Sequence, residues 1–216
     1  MAIEFLRIGK ADALQKLVTL IAHSAGQLVN YQQLAADCQI SAPTVQSYLT
    51  LLEQTYVLYK LTPYVGNKRQ EVITNPIYYF IDNGFRNQAL RNFTGLDQRS
   101  DAGLLVEGFV LQELLKFRAQ TYGDFNLHFW RSKSGAEVDF VIYKQTDKPL
   151  PIEVKYRNLA KPSISRGYRS FIDAYHPSQG IVVTKNLVGT LSVNSCTVHF
   201  IPLSELTKVE RFIVEL

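Results

Sequence analysis

Two short segments, AEVDFVIY (136–143) and LPIEVKY (150–156), constrain this chain more than any other part of it. Both are too short for typical helices and rich in β-branched and aromatic residues, so they read as consecutive strands. On the first, Val138, Phe140 and Ile142 alternate with Glu137, Asp139 and Val141; on the second, Ile152 and Val154 alternate with Glu153 and Lys155. Period-two geometry gives each strand an apolar face for a core and a face that carries the ionisable groups. A turn centred near Thr146, within residues 145–148, places Asp139 directly opposite Glu153. Cross-strand partners have Cβ atoms roughly 4.5–5.5 Å apart, and two carboxylates at that distance repel unless a positive group stands between them.

A hard divalent cation, Mg²⁺ or Mn²⁺, meets that need. Mg²⁺ takes oxygen ligands, usually one or two carboxylates completed by waters and phosphate oxygens. Asp139 and Glu153 are therefore the candidate metal ligands. Lys155 projects from the same face and suits a phosphate or an attacking water. A metal-bound water beside a phosphodiester is a hydrolysis site. Glu107 lies in the apolar stripe of the preceding helix, where an acid needs a reason: it is either an accessory acid of the same site or the partner of a Lys or Arg at the helix edge.

The pattern around these strands divides the chain in two. Residues 12–24 carry apolar positions at helical spacing, 31–37 form a second short helix, and Ser41 is placed to cap a third that runs to about Gln54. Segments 56–65 and 71–82 then read as two strands, joined by a turn at 66–69 with Lys68 and Arg69 at its tip. Three helices and a two-stranded ribbon make a winged helix-turn-helix. Residues 83–91 read as a closing helix and 92–102 as a linker, so the expected division is a winged-helix domain over 1–91 and a second domain over 103–216. The second domain opens with a helix over 103–118. Strands at 125–131, 136–143 and 150–156 follow, then a helix over 163–175, strands near 180–184 and 197–201, and a closing helix from 203. That order, α-β-β-β-α-β, is a mixed sheet flanked by helices, and the fold class is α+β.

Hydrophobic residues are 46% and charged residues 19% of the 216, enough apolar material for two cores and too much for a disordered chain. No apolar run approaches the roughly 20 residues of a membrane helix, and the N-terminus is unlike a signal peptide. Cys38 and Cys196 are too few and too far apart for a zinc site or a disulfide framework, which fits a reducing cytoplasm. The expectation is a soluble cytoplasmic protein with no membrane partner. Net charge is +4, and residues 131–169 hold nine Lys/Arg against four Asp/Glu. This local excess permits a polyanionic partner. Arg131, Lys133, Arg157, Lys161 and Arg166 are phosphate-contact candidates because they flank the proposed metal site in sequence, and Lys68 and Arg69 because they tip the wing. The third helix (42–55) offers Thr44, Gln46, Ser47 and Thr50 but no Lys or Arg, so bases are poorly served and the winged helix equally suits a protein partner.

Asp139 followed by "IEVK" (152–155), with a helix bearing Glu107 before them, resembles the PD-(D/E)xK nuclease superfamily and its restriction-endonuclease-like fold. The resemblance implies that Asp139 and Glu153 bind Mg²⁺, that Lys155 is the catalytic lysine and that Glu107 is an accessory acid. Over longer stretches, SAPTVQSYLTLLEQTYVLYKL (41–61), YYFIDNGFRN (78–87), LLVEGFVLQELL (104–115), FWRSKSGAEVDFVI (129–142) and PIEVKYR (151–157) are similar to the C-terminal region of a bacterial and archaeal family of AAA-type ATPases, a region known as a domain of unknown function. There a P-loop ATPase precedes a winged helix and a nuclease-like domain. This sequence departs from that pattern, because no GxxxxGK[ST] occurs and Gly9-Lys10-Ala11 lacks both the upstream glycine and the hydroxyl residue. No ATP hydrolysis is assigned to it. Two expectations follow: a metal-dependent endonuclease acting on nucleic acid, or a catalytically inactive interaction or regulatory module of an ATPase domain or subunit.

Overall fold

The structure is a computed structural model that describes residues 11–64, 75–121, 124–144 and 148–216. It is α+β and divides into two compact units, which among the described residues comprise 11–60 with 75–99, and 61–64 with 100–216. No helix among the described residues is long and apolar enough to cross a membrane.

The first unit holds α1 (Ala11–His23), α2 (Tyr31–Cys38), α3 (Ala42–Gln54), the start of β1 (Leu58–Pro63), β2 (Ile77–Phe80) and α4 (Asn83–Leu90). Each helix after the first has a side-chain cap that fixes its start. Asn30 accepts from the Gln32 and Gln33 amides at 3.1 and 3.0 Å, Ser41 accepts from the Thr44 amide at 3.2 Å, and Asp82 accepts from that of Gly84. Pro43 sits in the first turn of α3, where its missing N–H costs nothing. Leu17, Ile21, Val45, Leu49, Leu58, Tyr78 and Phe80 close one core. Arg86 is buried and donates from Nε to the Ala22 carbonyl at 3.0 Å, which ties α4 to the end of α1. Asn30→Ala removes the acceptor for two amides of α2 and is expected to lower stability by about 1 kcal/mol. Thermal unfolding checks this as a drop in Tm of about 2–4 °C.

The second unit is built from α5 (Ala102–Gln120), β3 (Asn126–Arg131), β4 (Glu137–Tyr143), β5 (Leu150–Lys155), α6 (Arg166–Tyr175), β6 (Gln179–Thr184), β7 (Gly189–Val193) and β8 (Cys196–Pro202). A 3₁₀ segment (Leu203–Lys208) and α7 (Val209–Val214) follow. The end of β1 lies parallel to β3, through Thr62 opposite His128, and the order continues β3-β4-β5-β6-β8-β7. β5, β6 and β8 are mutually parallel, while β3-β4, β4-β5 and β7-β8 are antiparallel, so the sheet is mixed. α5 packs on β5, and α6 packs on β4 and β5. α5 buries Leu105, Val106, Val110, Leu111, Leu114 and Phe117, while Leu104 and Leu115 stay half-buried.

Three features differ from the sequence expectation. β7, an edge strand that alternates half-buried and exposed residues, has too few apolar positions to register as a strand, and it forms because β8 offers a free edge. The helix expected from Leu203 begins instead as a 3₁₀ segment, with Glu205 outside helical backbone geometry. Most consequential for the site, the β3–β4 pairing shifts register: His128 pairs with Val141 but Trp130 pairs with Val138. Asp139 and Phe140 therefore both oppose Phe129, a β-bulge that breaks strict alternation. Val138 does not share a face with Phe140 and Ile142; it packs with Val141, Trp130, Tyr168 and Phe171.

Candidate functional site

β4 and β5 pair through Phe140–Ile152, Val141–Pro151 and Ile142–Leu150, the register expected from a turn near Thr146, although residues 145–147 lie outside the described ones. The ladder ends there, and Asp139 and Glu153 stand immediately beyond it. The Asp139 side chain reaches back into this fork, where its Oδ2 accepts the Val154 amide at 2.7 Å. The bulge and the fork together set this carboxylate. One side chain thus takes over an amide that a continuing strand would have bonded.

Glu153 is buried, and its Oε2 makes no hydrogen bond. Lys155 Nζ lies 3.4 Å from that oxygen, an ion pair by distance but without hydrogen-bond geometry. Burial pushes the Asp139 carboxyl well above its ordinary range. The Glu107 carboxylate adds to the effect, as do Glu153 and Glu137 more weakly, and the Val154 amide opposes it. α5 therefore brings Glu107 close enough for its charge to act on Asp139. The four residues singled out in sequence, Asp139, Glu153, Lys155 and Glu107, occupy one neighbourhood of the second unit.

Among the described residues no three His, Cys, Asp or Glu side chains form a ready metal cage. Mg²⁺ does not require one, since two carboxylates with waters and phosphate oxygens complete its shell. The buried Glu153 oxygen without a hydrogen bond, and the mutual repulsion felt by Asp139, are what a divalent cation would relieve. The residues fit such an ion, which Asp139 and Glu153 would hold.

The basic residues are more dispersed. Arg131, at the end of β3, lies 3.7 Å from Glu137 and is partly spent on it. Lys133 is exposed in the following turn. Arg157 and Lys161 are exposed in the segment after β5, and Arg166 is exposed at the first position of α6. Lys68 and Arg69 lie outside the described residues. Sequence reasoning missed Tyr168. It is fully buried on α6, donates to the Pro151 carbonyl at 2.8 Å, and has its hydroxyl pushed upward by burial, with smaller contributions from Cys196, Glu153 and Asp139. The available signal was a tyrosine on the apolar face of an amphipathic helix, which alone does not separate core from site.

Residues 102–206 match a family model described as a domain of unknown function (DUF4143), and residues 3–97 match another described as a domain of unknown function (DUF8612). Two curated relatives, uncharacterized proteins of Mycobacterium bovis and Mycobacterium tuberculosis, are each 30% identical over 162 residues, covering 74% of this chain and 35% of the relative. An uncharacterized protein of Haemophilus influenzae is 31% identical over 91 residues, covering 39% of this chain and 23% of that protein. The chain thus spans about a third of the length of the mycobacterial relatives it matches. Among solved structures, a chain from an assembly of Thermococcus gammatolerans McrB AAA+ hexamers with bound McrC is similar at 11% identity and a TM-score of 0.38, covering 94% of this chain and 75% of that one. That likeness is too slight to carry an argument.

Proposed function

We propose that the second unit is a restriction-endonuclease-like domain that binds Mg²⁺ or Mn²⁺ and hydrolyses phosphodiester bonds in nucleic acid, and that the first unit is a winged helix serving it. The observation that carries this reading is the unsatisfied, buried Glu153 oxygen beside the up-shifted Asp139, with Lys155 at 3.4 Å. A bound cation would supply charge neutralisation at the phosphate and a water acidic enough to act near neutral pH. The protein's own groups do the rest. Asp139 is oriented by the Val154 amide and cannot swing away without leaving that amide unpaired. Lys155 pairs with Glu153 at 3.4 Å without hydrogen-bond geometry, and its ammonium would turn from that oxygen toward a phosphate oxygen. Glu107 maintains the negative field that a cation enters.

Calorimetric titration with Mn²⁺ and cleavage assays on fluorescent DNA and RNA oligonucleotides test this. Asp139→Asn and Glu153→Gln should lose both cation binding and cleavage, whereas Lys155→Ala should keep the cation and lose cleavage by about 10²-fold or more. Retained cleavage in Asp139→Asn would sink the reading. Holding nucleic acid should depend on phosphate: affinity should fall with salt at a slope of about −0.9 per phosphate on duplex or −0.7 on single strands. Arg157→Ala or Lys161→Ala should each flatten it by about one unit, while Gln46→Ala should change little.

A second reading rests on the Glu153–Lys155 pair itself. An ammonium that already neutralises the glutamate lessens the demand for a cation. The domain then acts as a non-catalytic module for an ATPase domain or subunit, as the sequence resemblance suggests. Absence of Mn²⁺ binding at millimolar concentration selects this reading.

A further inference from the structure

We infer that the cleft between α5 and the C-terminal segment of the second unit is an anchor pocket for one large apolar side chain on a basic amphipathic helix of a partner protein. Its volume is about 210 Å³. Small-molecule and cofactor sites run to roughly 300–1,000 Å³, so this cleft is undersized for them and suited to a single Leu- or Phe-sized anchor. The floor is apolar, formed by Leu114, Phe117, Leu206, Val209 and Ile213. Phe109 forms part of the lining and is 39% exposed, an aromatic ring that its own core leaves partly uncovered.

The occupant follows from charge. The ionisable residues that line the cleft are Glu113 and Glu210, although the chain as a whole carries a net charge of +4. Glu113 is held by Lys116 of its own helix at 2.6 Å, and Lys116 does not line the cleft. Glu210 has no ion-pair partner among the described residues, so it is the rim group open to an incoming cation. A hydrophobic pocket with a carboxylate beside it fits a helix that presents an apolar anchor with a Lys or Arg one turn away. Buried aromatic or aliphatic anchors of this kind dominate the energetics of such contacts.

The test uses two synthetic helical peptides of about four turns, each with one Phe anchor, one carrying Lys one turn away and the other Glu. Binding to the full chain is read by fluorescence anisotropy. The Lys peptide should bind more tightly than the Glu peptide, and Phe109→Ala should weaken it about tenfold or more. Glu210→Lys should reverse the order of the two peptides. Phe109 is 39% exposed and Glu210 half-buried, so both variants should keep a cooperative unfolding transition and native circular dichroism, which separates lost docking from lost folding. Equal binding of both peptides, or an order unchanged by Glu210→Lys, overturns the inference. So does self-association of the chain that Phe109→Ala abolishes, since the occupant is then a second copy. None of these outcomes depends on cation binding at Asp139.

Discussion

Asp139→Asn is expected to raise the melting temperature of the cation-free protein at pH 8 while abolishing cation binding. Burial and the charges of Glu107, Glu153 and Glu137 raise the Asp139 carboxyl above its ordinary value of 3.8. In the pH range above 3.8, the folded state holds a proton that the unfolded chain has released, so stability falls as pH rises. The loss is complete once the folded carboxyl has ionised, and it is absent below 3.8, where both states are protonated. Asparagine keeps an oxygen for the Val154 amide and removes the charge. The variant should therefore match the parent near pH 3.5 and gain on it with each step upward, by about 2–4 °C in Tm for every kcal/mol relieved. Saturating Mn²⁺ should narrow or invert the difference, because ligand at 100 times its Kd stabilises the parent alone by about 2.7 kcal/mol. A variant that melts lower at every pH would show that the carboxylate serves the fold and not a cation. Stability withheld at a site in this way is the usual mark of groups retained for binding or chemistry.

The site was more legible in sequence than the route by which the chain builds it. Alternation along 136–143 and 150–156, with one turn position, is sufficient to set the β4–β5 register, since pairing depends on period and turn length alone. The start of the helix at Ala42 was readable because Ser41 is a cap with a local mechanism; the caps at Asn30 and Asp82 work in the same way but were not read from sequence. The bulge at Asp139–Phe140 was not readable, because it is decided by how β3 pairs with β4 and has no Gly or Pro to announce it. The parallel contact of β1 with β3 is likewise a product of tertiary pairing: Thr62 and His128 are far apart in sequence, and their Oγ1–Nδ1 contact at 3.1 Å has no local signature. Edge strand β7 escaped for a related reason, since its exposed positions dilute the pattern that marks a strand.

Gly180→Ala is expected to destabilise the second unit strongly, and Tyr168→Phe should partly rescue it. A Cβ on Gly180 would stand 2.4 Å from the Tyr168 hydroxyl oxygen and 3.3 Å from Cζ. Tyr168 has nowhere to go: it is fully buried, and its hydroxyl bonds the carbonyls of Pro151 at 2.8 Å and Ile181 at 3.2 Å. Overpacking of this kind costs about 1–3 kcal/mol, here at the upper end because the obstructing atom is itself tethered. Tyr168→Phe alone should cost about 1–3 kcal/mol through the hydrogen bonds it deletes. In the double variant the nearest atom becomes a ring carbon at 3.3 Å, a contact a small shift can absorb. Urea unfolding of the four proteins should thus give a double variant about 1–2 kcal/mol more stable than the sum of the singles. Gly167→Ala is the control. Its Cβ would meet the Glu137 carbonyl oxygen and amide nitrogen at 2.7 and 2.8 Å, backbone atoms that Tyr168→Phe does not move. It should destabilise without rescue, and because Glu137 is two residues from Asp139, it should also weaken Mn²⁺ binding, whereas the rescued Gly180→Ala pair should recover it. Additive energies across the Gly180–Tyr168 cycle would mean that α6 can lift from the sheet more easily than this packing implies, and that the β4 carboxylate is not held by the helix behind it.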